Sequence, residues 1–164
     1  MVKCAVLIVA AGRGHRFGGE MPKQYRTIGS QMVLRRSLSL FCAHPAVSAV
    51  RAVIHPDDLP LYQCAAENLP VLPPAFGGPT RQDSVRLGLE SLKQENPDIV
   101  LIHDGARPFV DFGVINRVIA AVKERCGAIP ALPVTDTIKA GADKNGQTVI
   151  TRTVDRSGLY RVQT

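Results

Sequence analysis

The sequence predicts an α/β domain with a mostly parallel sheet and helices on both faces, and three observations carry that prediction. The continuous apolar run CAVLIVA at 4–10 has the composition of a strand buried on both faces, and DIVLI at 98–102 is a second clear apolar run of strand length. Segments with apolar residues at helical spacing lie between such runs, so strands and helices alternate along the chain. At 164 residues, 45% hydrophobic and 21% charged, the chain is long enough to bury one core.

The elements follow in order. After the strand at 4–10, Ser30 is the expected N-cap of a helix that carries Leu34, Leu38 and Phe41 on one face. Residues 49–54 (AVRAVI) read as a second strand, and 57–68 as a helix opening on two aspartates, with a short apolar LPVL segment after it. Val85, Leu89 and Leu92 mark one face of a helix that follows Gly77 and Gly78. DIVLI is the third clear strand. From 111 to 125, Val114, Ile115, Val118, Ile119 and Val122 form an amphipathic stripe, with Gly127 in the C-cap position. AIPALPV at 128–134 reads as a strand interrupted by prolines, as at a sheet edge. From about 140 the chain turns polar, with DKNGQ and then TVITRTV, the pattern of a hairpin or projecting arm.

Composition excludes several classes. No apolar run approaches the roughly 18 residues of a membrane span. The short apolar stretch in MVKCAVLIVAAG runs into glycines and arginines, so it is read as a buried strand and not a signal peptide, which implies a cytoplasmic protein. Cys4, Cys42, Cys64 and Cys126 are scattered without metal spacing and read as reduced thiols. A net charge of +6 asks for an anionic partner, while 5% aromatics and no Trp argue against nucleic acid. Small phosphorylated ligands fit that balance.

Ligands of parallel sheets bind at the carboxyl ends of the strands, where the notable motifs fall. In AAGRGHRFGGEMPKQ at 10–24, Gly12 and Gly14 permit close backbone approach, and Arg13, Arg16 and Lys23 offer charge to phosphate. The stretch fails the dinucleotide fingerprint at its third glycine and lacks the Gly-Lys pair of a P-loop. In GGPTRQDSV at 77–85, two glycines precede a helix start. In HDGARP at 103–108, Asp104 suits a magnesium ligand, a sugar-hydroxyl acceptor or a turn. His103 reads as a packed structural histidine, and Arg107 either binds an anion or pairs with an acid.

Taken together, AAGxGxRxG with PKQ, GGxxRxxSV, HDxARP, DTIK and TVDR resemble 2-C-methyl-D-erythritol 4-phosphate cytidylyltransferases from residue 4 to residue 164. The related CDP-ribitol enzymes tend to have AGG where this chain has Ala10-Ala11-Gly12. The resemblance implies a Rossmann-like nucleotidyltransferase fold with a nucleotide-binding catalytic domain over 1–139 and, over 140–164, a β-arm and the start of a further segment. It implies that CTP and methylerythritol phosphate react to give 4-diphosphocytidyl-2-C-methyl-D-erythritol and pyrophosphate. Ala10, Ala11, Gly12, Gly14 and Arg16 would hold the CTP phosphates, with Arg16 and Lys23 stabilising charge at the α-phosphate. Gly78, Arg81 and Ser84 would contact cytosine and ribose. Asp104 would lie at Mg2+, while Gly105 and Arg107 of the same motif would bind substrate, Arg107 near the methylerythritol. Thr137 and Arg156 would hold the substrate phosphate, from an arm around 140–156 that reaches across a homodimer. A ribitol 5-phosphate or other polyol-phosphate nucleotidyltransferase, and an inactive CTP-binding or dimerisation module, are the alternatives.

The chemistry agrees with that implication. A phosphate monoester, with its second pKa near 6, needs no general base to attack. The difficulty is repulsion: at about 4 Å and an effective dielectric of about 20, one unit-charge pair costs about 4 kcal/mol. Several cations are therefore needed. Two departures stand out. Gly105 replaces the usual Ala of HDAARP, which is expected to loosen backbone beside the nucleotide. Family members also continue beyond the equivalent of Thr164, so the chain is expected to be a fragment, the first part of a bifunctional pathway enzyme, or a short form with doubtful activity.

Overall fold

The computed structural model describes residues 2–13 and 21–162. Among these the elements run β1 (Cys4–Ala10), β2 (Thr27–Ile28), β3 (Gln31–Met32), α1 (Val33–Cys42), β4 (Val47–Ile54) and α2 (Leu59–Ala66). Next come β5 (Ala75–Phe76), α3 (Arg81–Ser91), β6 (Ile99–Asp104) and α4 (Phe112–Ala121). The last elements are β7 (Ala131–Pro133), β8 (Ile138–Lys144), β9 (Gln147–Val154) and β10 (Tyr160–Val162).

The central sheet has the order β5-β4-β1-β6, and every pairing in it is parallel. Side chains of a strand alternate between faces, and β1 uses both. Val6, Ile8 and Ala10 join Leu34, Leu38 and Phe41 of α1, Tyr62 and Ala65 of α2, and Ile115 of α4 in the larger core. Ala5 and Leu7 face the other way, onto Val53 and Leu92 at the end of α3. Helices therefore cover both faces of β1, as its uninterrupted apolar run requires. After β1 the chain moves outward to β4 and β5, then returns to place β6 on the far side of β1. The strand order thus reverses at β1, and ligands of open α/β sheets bind at that point.

Several expected boundaries shift. Ser30 does not cap α1: Gly29, with φ of 65°, and Ser30 form the turn between β2 and β3, and Met32 is the N-cap. The two aspartates of the second helix fall in a separate 3-10 turn, Pro56–Asp58, ahead of α2. The strand after the apolar LPVL segment is Ala75–Phe76, which pairs with Val53 and Ile54. In α3, Leu89 is 37% exposed, and the buried face is formed by Ser84 and Gly88, followed by Leu92. Glycine at 88 lets the helix approach so closely that a Cβ there would lie 2.6 Å from atoms of both Leu7 and Val53. The α4 stripe ends early because Val122 turns extended, so Gly127 caps nothing. AIPALPV does not join the main sheet: Ala131–Pro133 pairs antiparallel with Tyr160–Val162.

Residues 138–154 form the expected hairpin. Its Asn145-Gly146 turn has φ of 55° and 80°, the positive pair that a two-residue hairpin loop needs.

Candidate active site

A cleft of about 500 Å³ opens over the carboxyl ends of β1 and β6. Four chain segments line it: Val9–Gly12, Lys23 and Gln24, Gly78–Arg81 with Ser84, and Asp104 with Ala106 and Arg107. Nine of the residues singled out from sequence meet there: Ala10, Ala11, Gly12, Lys23, Gly78, Arg81, Ser84, Asp104 and Arg107. A hollow of about 570 Å³ between α4 and β7 is apolar apart from Arg117 and Arg161 and holds none of these motif residues.

The cleft is built by local rules. Among the described residues no atom lies within 4 Å of where a Gly12 Cβ would stand, so this backbone is open toward the cleft. Gly77 serves packing instead, since a Cβ there would lie 2.5 Å from the Ala11 Cβ; its absence lets the two loops touch. Thr80 caps α3, its Oγ1 accepting from the Asp83 N–H at 3.1 Å and donating to the Asp83 carboxylate at 2.7 Å. This helix thus presents its N-terminal dipole end to the cleft, beside Arg81. The Ser84 hydroxyl is committed to the same loop. It accepts from the Gly78 N–H at 3.2 Å and lies 3.0 Å from the Thr80 carbonyl, so it shapes the cleft wall.

Charge in the cleft is arranged with a fixed centre. Asp104 ends β6 and accepts from Arg81 at 3.0 Å on Oδ1 and from Arg107 at 3.1 Å on Oδ2. Lys23 is exposed on the rim, and its side chain carries no hydrogen bond or ion pair to the described residues. Three cations against one carboxylate leave the described lining positive. His103 lies beneath, 9% exposed, its Nε2–H donating to the Arg107 carbonyl at 2.9 Å and its ring edge-on to Phe41. Burial pushes its pKa below the usual histidine value, against an opposing pull from that carbonyl and Asp104. It is therefore a neutral structural residue, in line with the sequence reading.

Other expected residues stand differently. Gly14 and Arg16 lie outside the described residues. Arg13 does not line the cleft; its guanidinium binds Asp57 and Asp58. Gly105 is not loose: it is buried, its N–H donates to the Val9 carbonyl at 2.9 Å, and a Cβ would meet Ala10 at 3.0 Å and Leu34 at 3.1 Å. Glycine fits that floor more easily than alanine would. Thr137 and Arg156 sit at the base of the arm and do not line the cleft; Arg156 donates to the Thr135 carbonyl.

Gln24 was missed. It is 2% exposed, and its Nε2 donates to the carbonyls of Ala10 at 2.8 Å and Gly12 at 3.0 Å. One amide thus pins the end of β1 and the glycine loop. The available signal was its place in PKQ, next to a lysine marked as functional.

With this geometry in view, comparison with known proteins is decisive. Residues 4–164 match the sequence profile of the 2-C-methyl-D-erythritol 4-phosphate cytidylyltransferases. The chain belongs to that family. It is 58% identical over 164 residues to the bifunctional enzyme IspD/IspF of Paramagnetospirillum magneticum and 59% identical over 165 residues to that of Rhodospirillum rubrum. Each match covers 100% of this chain and 42% of the relative, so the chain spans about two fifths of these curated relatives' length. Among solved structures, a 4-diphosphocytidyl-2C-methyl-D-erythritol synthase superposes with a TM-score of 0.78 at 35% identity, covering 100% of this chain and 73% of that one. The 2-C-methyl-D-erythritol 4-phosphate cytidylyltransferase of Thermus thermophilus gives 0.65 at 33% identity, covering 100% and 68%. The fold is that of these nucleotidyltransferases.

Proposed function

We propose that the protein containing this chain transfers a cytidylyl group from CTP to 2-C-methyl-D-erythritol 4-phosphate. The observation that carries this reading is the convergence of four motif segments on one positive cleft at the strand-order reversal. A phosphate oxygen of the methylerythritol substrate attacks the α-phosphorus of CTP. The bond from that phosphorus to the oxygen bridging to the β-phosphate breaks, and pyrophosphate leaves with the bonding electrons. Glycine-loop backbone holds the triphosphate and the segment leading into α3 contacts cytosine and ribose, while Lys23 and Arg16 offset charge growing at the α-phosphorus. No base is needed, because the nucleophile is already an anion.

A Mg2+ fits the donor set in the one-carboxylate mode. Asp104 is the carboxylate of the described lining; each oxygen accepts one guanidinium bond and keeps acceptor capacity. Among the described residues no cluster of three or more His, Cys, Asp or Glu gathers, which accords with an ion that takes its other ligands from phosphate and water. When bound, the ion would neutralise triphosphate charge.

Thr137 and Arg156 would serve the substrate phosphate of a second copy in a homodimer, since the arm that bears them stands apart from its own cleft. A cytoplasmic location accords with four free cysteines. Among the described residues no helix is long and apolar enough to cross a membrane.

Pyrophosphate release from CTP, measured on the full reading frame with methylerythritol phosphate against ribitol phosphate, tests the reaction and its substrate. Lys23→Ala is expected to lower kcat about 10²- to 10³-fold while CTP still binds, the usual cost of one preorganised charge-stabilising donor. Near-normal turnover in that variant would remove Lys23 from the mechanism.

A further inference from the structure

Arg13 follows Gly12 directly, yet its charge is spent away from the cleft. One terminal nitrogen lies 3.0 Å from Asp58 Oδ1 and the other binds Asp57. Asp58 is 2% exposed, and its Oδ2 has no hydrogen-bond partner among the described residues. Its position is set by backbone: the Asp58 N–H donates to the His55 carbonyl at 3.0 Å, and the Asp57 N–H to His55 Nδ1 at 3.2 Å. A carboxylate buried that deeply persists as a charge only when paired. The pair therefore joins two loops at neighbouring strand ends, the one after β1 and the one after β4.

We propose that Arg13 and Asp58 form a positioning pair that fastens the glycine loop to the β4–α2 turn. Gln24 holds the same loop by the Ala10 and Gly12 carbonyls. With the loop anchored on two sides, the backbone beside the cleft is set before a ligand arrives, and binding does not bear the cost of ordering it. Arg13 acts through the loop and not on the phosphates. The inference rests on the triphosphate reading of the cleft, but the anchoring itself is measurable without ligand.

The test uses the full-length protein with magnesium and CTP in a calorimeter, and hydrogen exchange of the Gly12 and Arg13 amides without ligand. Arg13→Ala is expected to weaken CTP binding about tenfold, with kcat at saturating CTP within about threefold of wild type and exchange at both amides accelerated. Because this variant strands a buried carboxylate, a second one, Arg13→Met with Asp58→Asn, removes both charges. It should recover most of the lost melting temperature yet keep the tenfold loss and the fast exchange, which simple destabilisation does not predict. CTP affinity within twofold of wild type in both variants, or unchanged exchange in both, overturns the proposal. If wild type itself binds no nucleoside triphosphate, the reading of the cleft fails, and the exchange rates alone decide the anchor.

Discussion

Every buried side chain among the described residues lies between Cys4 and Ile115, whereas none from 116 to 162 is buried. The first region closes its own core: β1 is shielded on both faces, and its helices are fixed by what they cover. The second begins with the end of α4, where Ile119 still packs against that core, and beyond it holds its shape by backbone ladders, chiefly that of β8 with β9. A two-stranded hairpin of this kind is marginal alone in water. The body thus packs on itself, while the arm leaves apolar side chains such as Ile150 exposed. The same division separates the cleft residues, which the body brings together, from Thr137 and Arg156, which the arm holds apart.

The comparison can be broken most sharply at the arm's apolar side chains. Ile150 is 58% exposed and Val149 40% exposed. If the arm completes a dimer, Ile150→Asp buries an unpaired charge at the interface and should weaken association at least about a hundredfold. Sedimentation equilibrium measures this, and the melting temperature of the body should stay put. A variant that associates like wild type would leave the arm without its proposed partner surface.

The body should show the opposite response. Gly88→Ala forces a methyl against Leu7 and Val53, and such overpacking costs about 1–3 kcal/mol, or roughly 3–10 °C in Tm for a chain of this size. Calorimetric melting reads the loss. Gly146→Ala makes the same chemical change at a φ of 80° in the arm, where a side chain costs about 1 kcal/mol. Its effect should stay local: amide exchange along β8 and β9 should rise about fivefold, with the melting temperature within about 1 °C. Equal shifts in Tm for the two alanines would show that arm and body unfold as one unit.

The smallest effect concerns pH. Burial lowers the His103 pKa in the folded state, so between that value and the unfolded pKa near 6.5 the unfolded chain binds more protons. Stability from this group is therefore complete above about pH 6.5 and declines as the pH falls through the window below it. His103→Gln keeps a donor for the Arg107 carbonyl but does not titrate. Its melting temperature should fall less than that of wild type between pH 7 and pH 5.5. A steeper fall would place the acid sensitivity elsewhere.

The sequence determined the parallel sheet, because strands buried on both faces must be apolar at every position, and CAVLIVA admits little else. It also marked most of the cleft, because a loop built to approach phosphate needs glycine and cations close together in the chain. Where one segment's conformation depends on a distant one, only the tertiary structure decided. Leu89 has the helical spacing of a core residue, yet α3 is rolled so that Gly88 faces Leu7. Arg13 and Lys23 look alike in one basic loop, yet Arg13 meets two acids some 45 residues away and Lys23 faces the cleft. Gln24 gained its place from two carbonyls that only the folded loop presents. Local pattern fixes which face a residue prefers, but the partner waiting there is set by the packing of the whole chain.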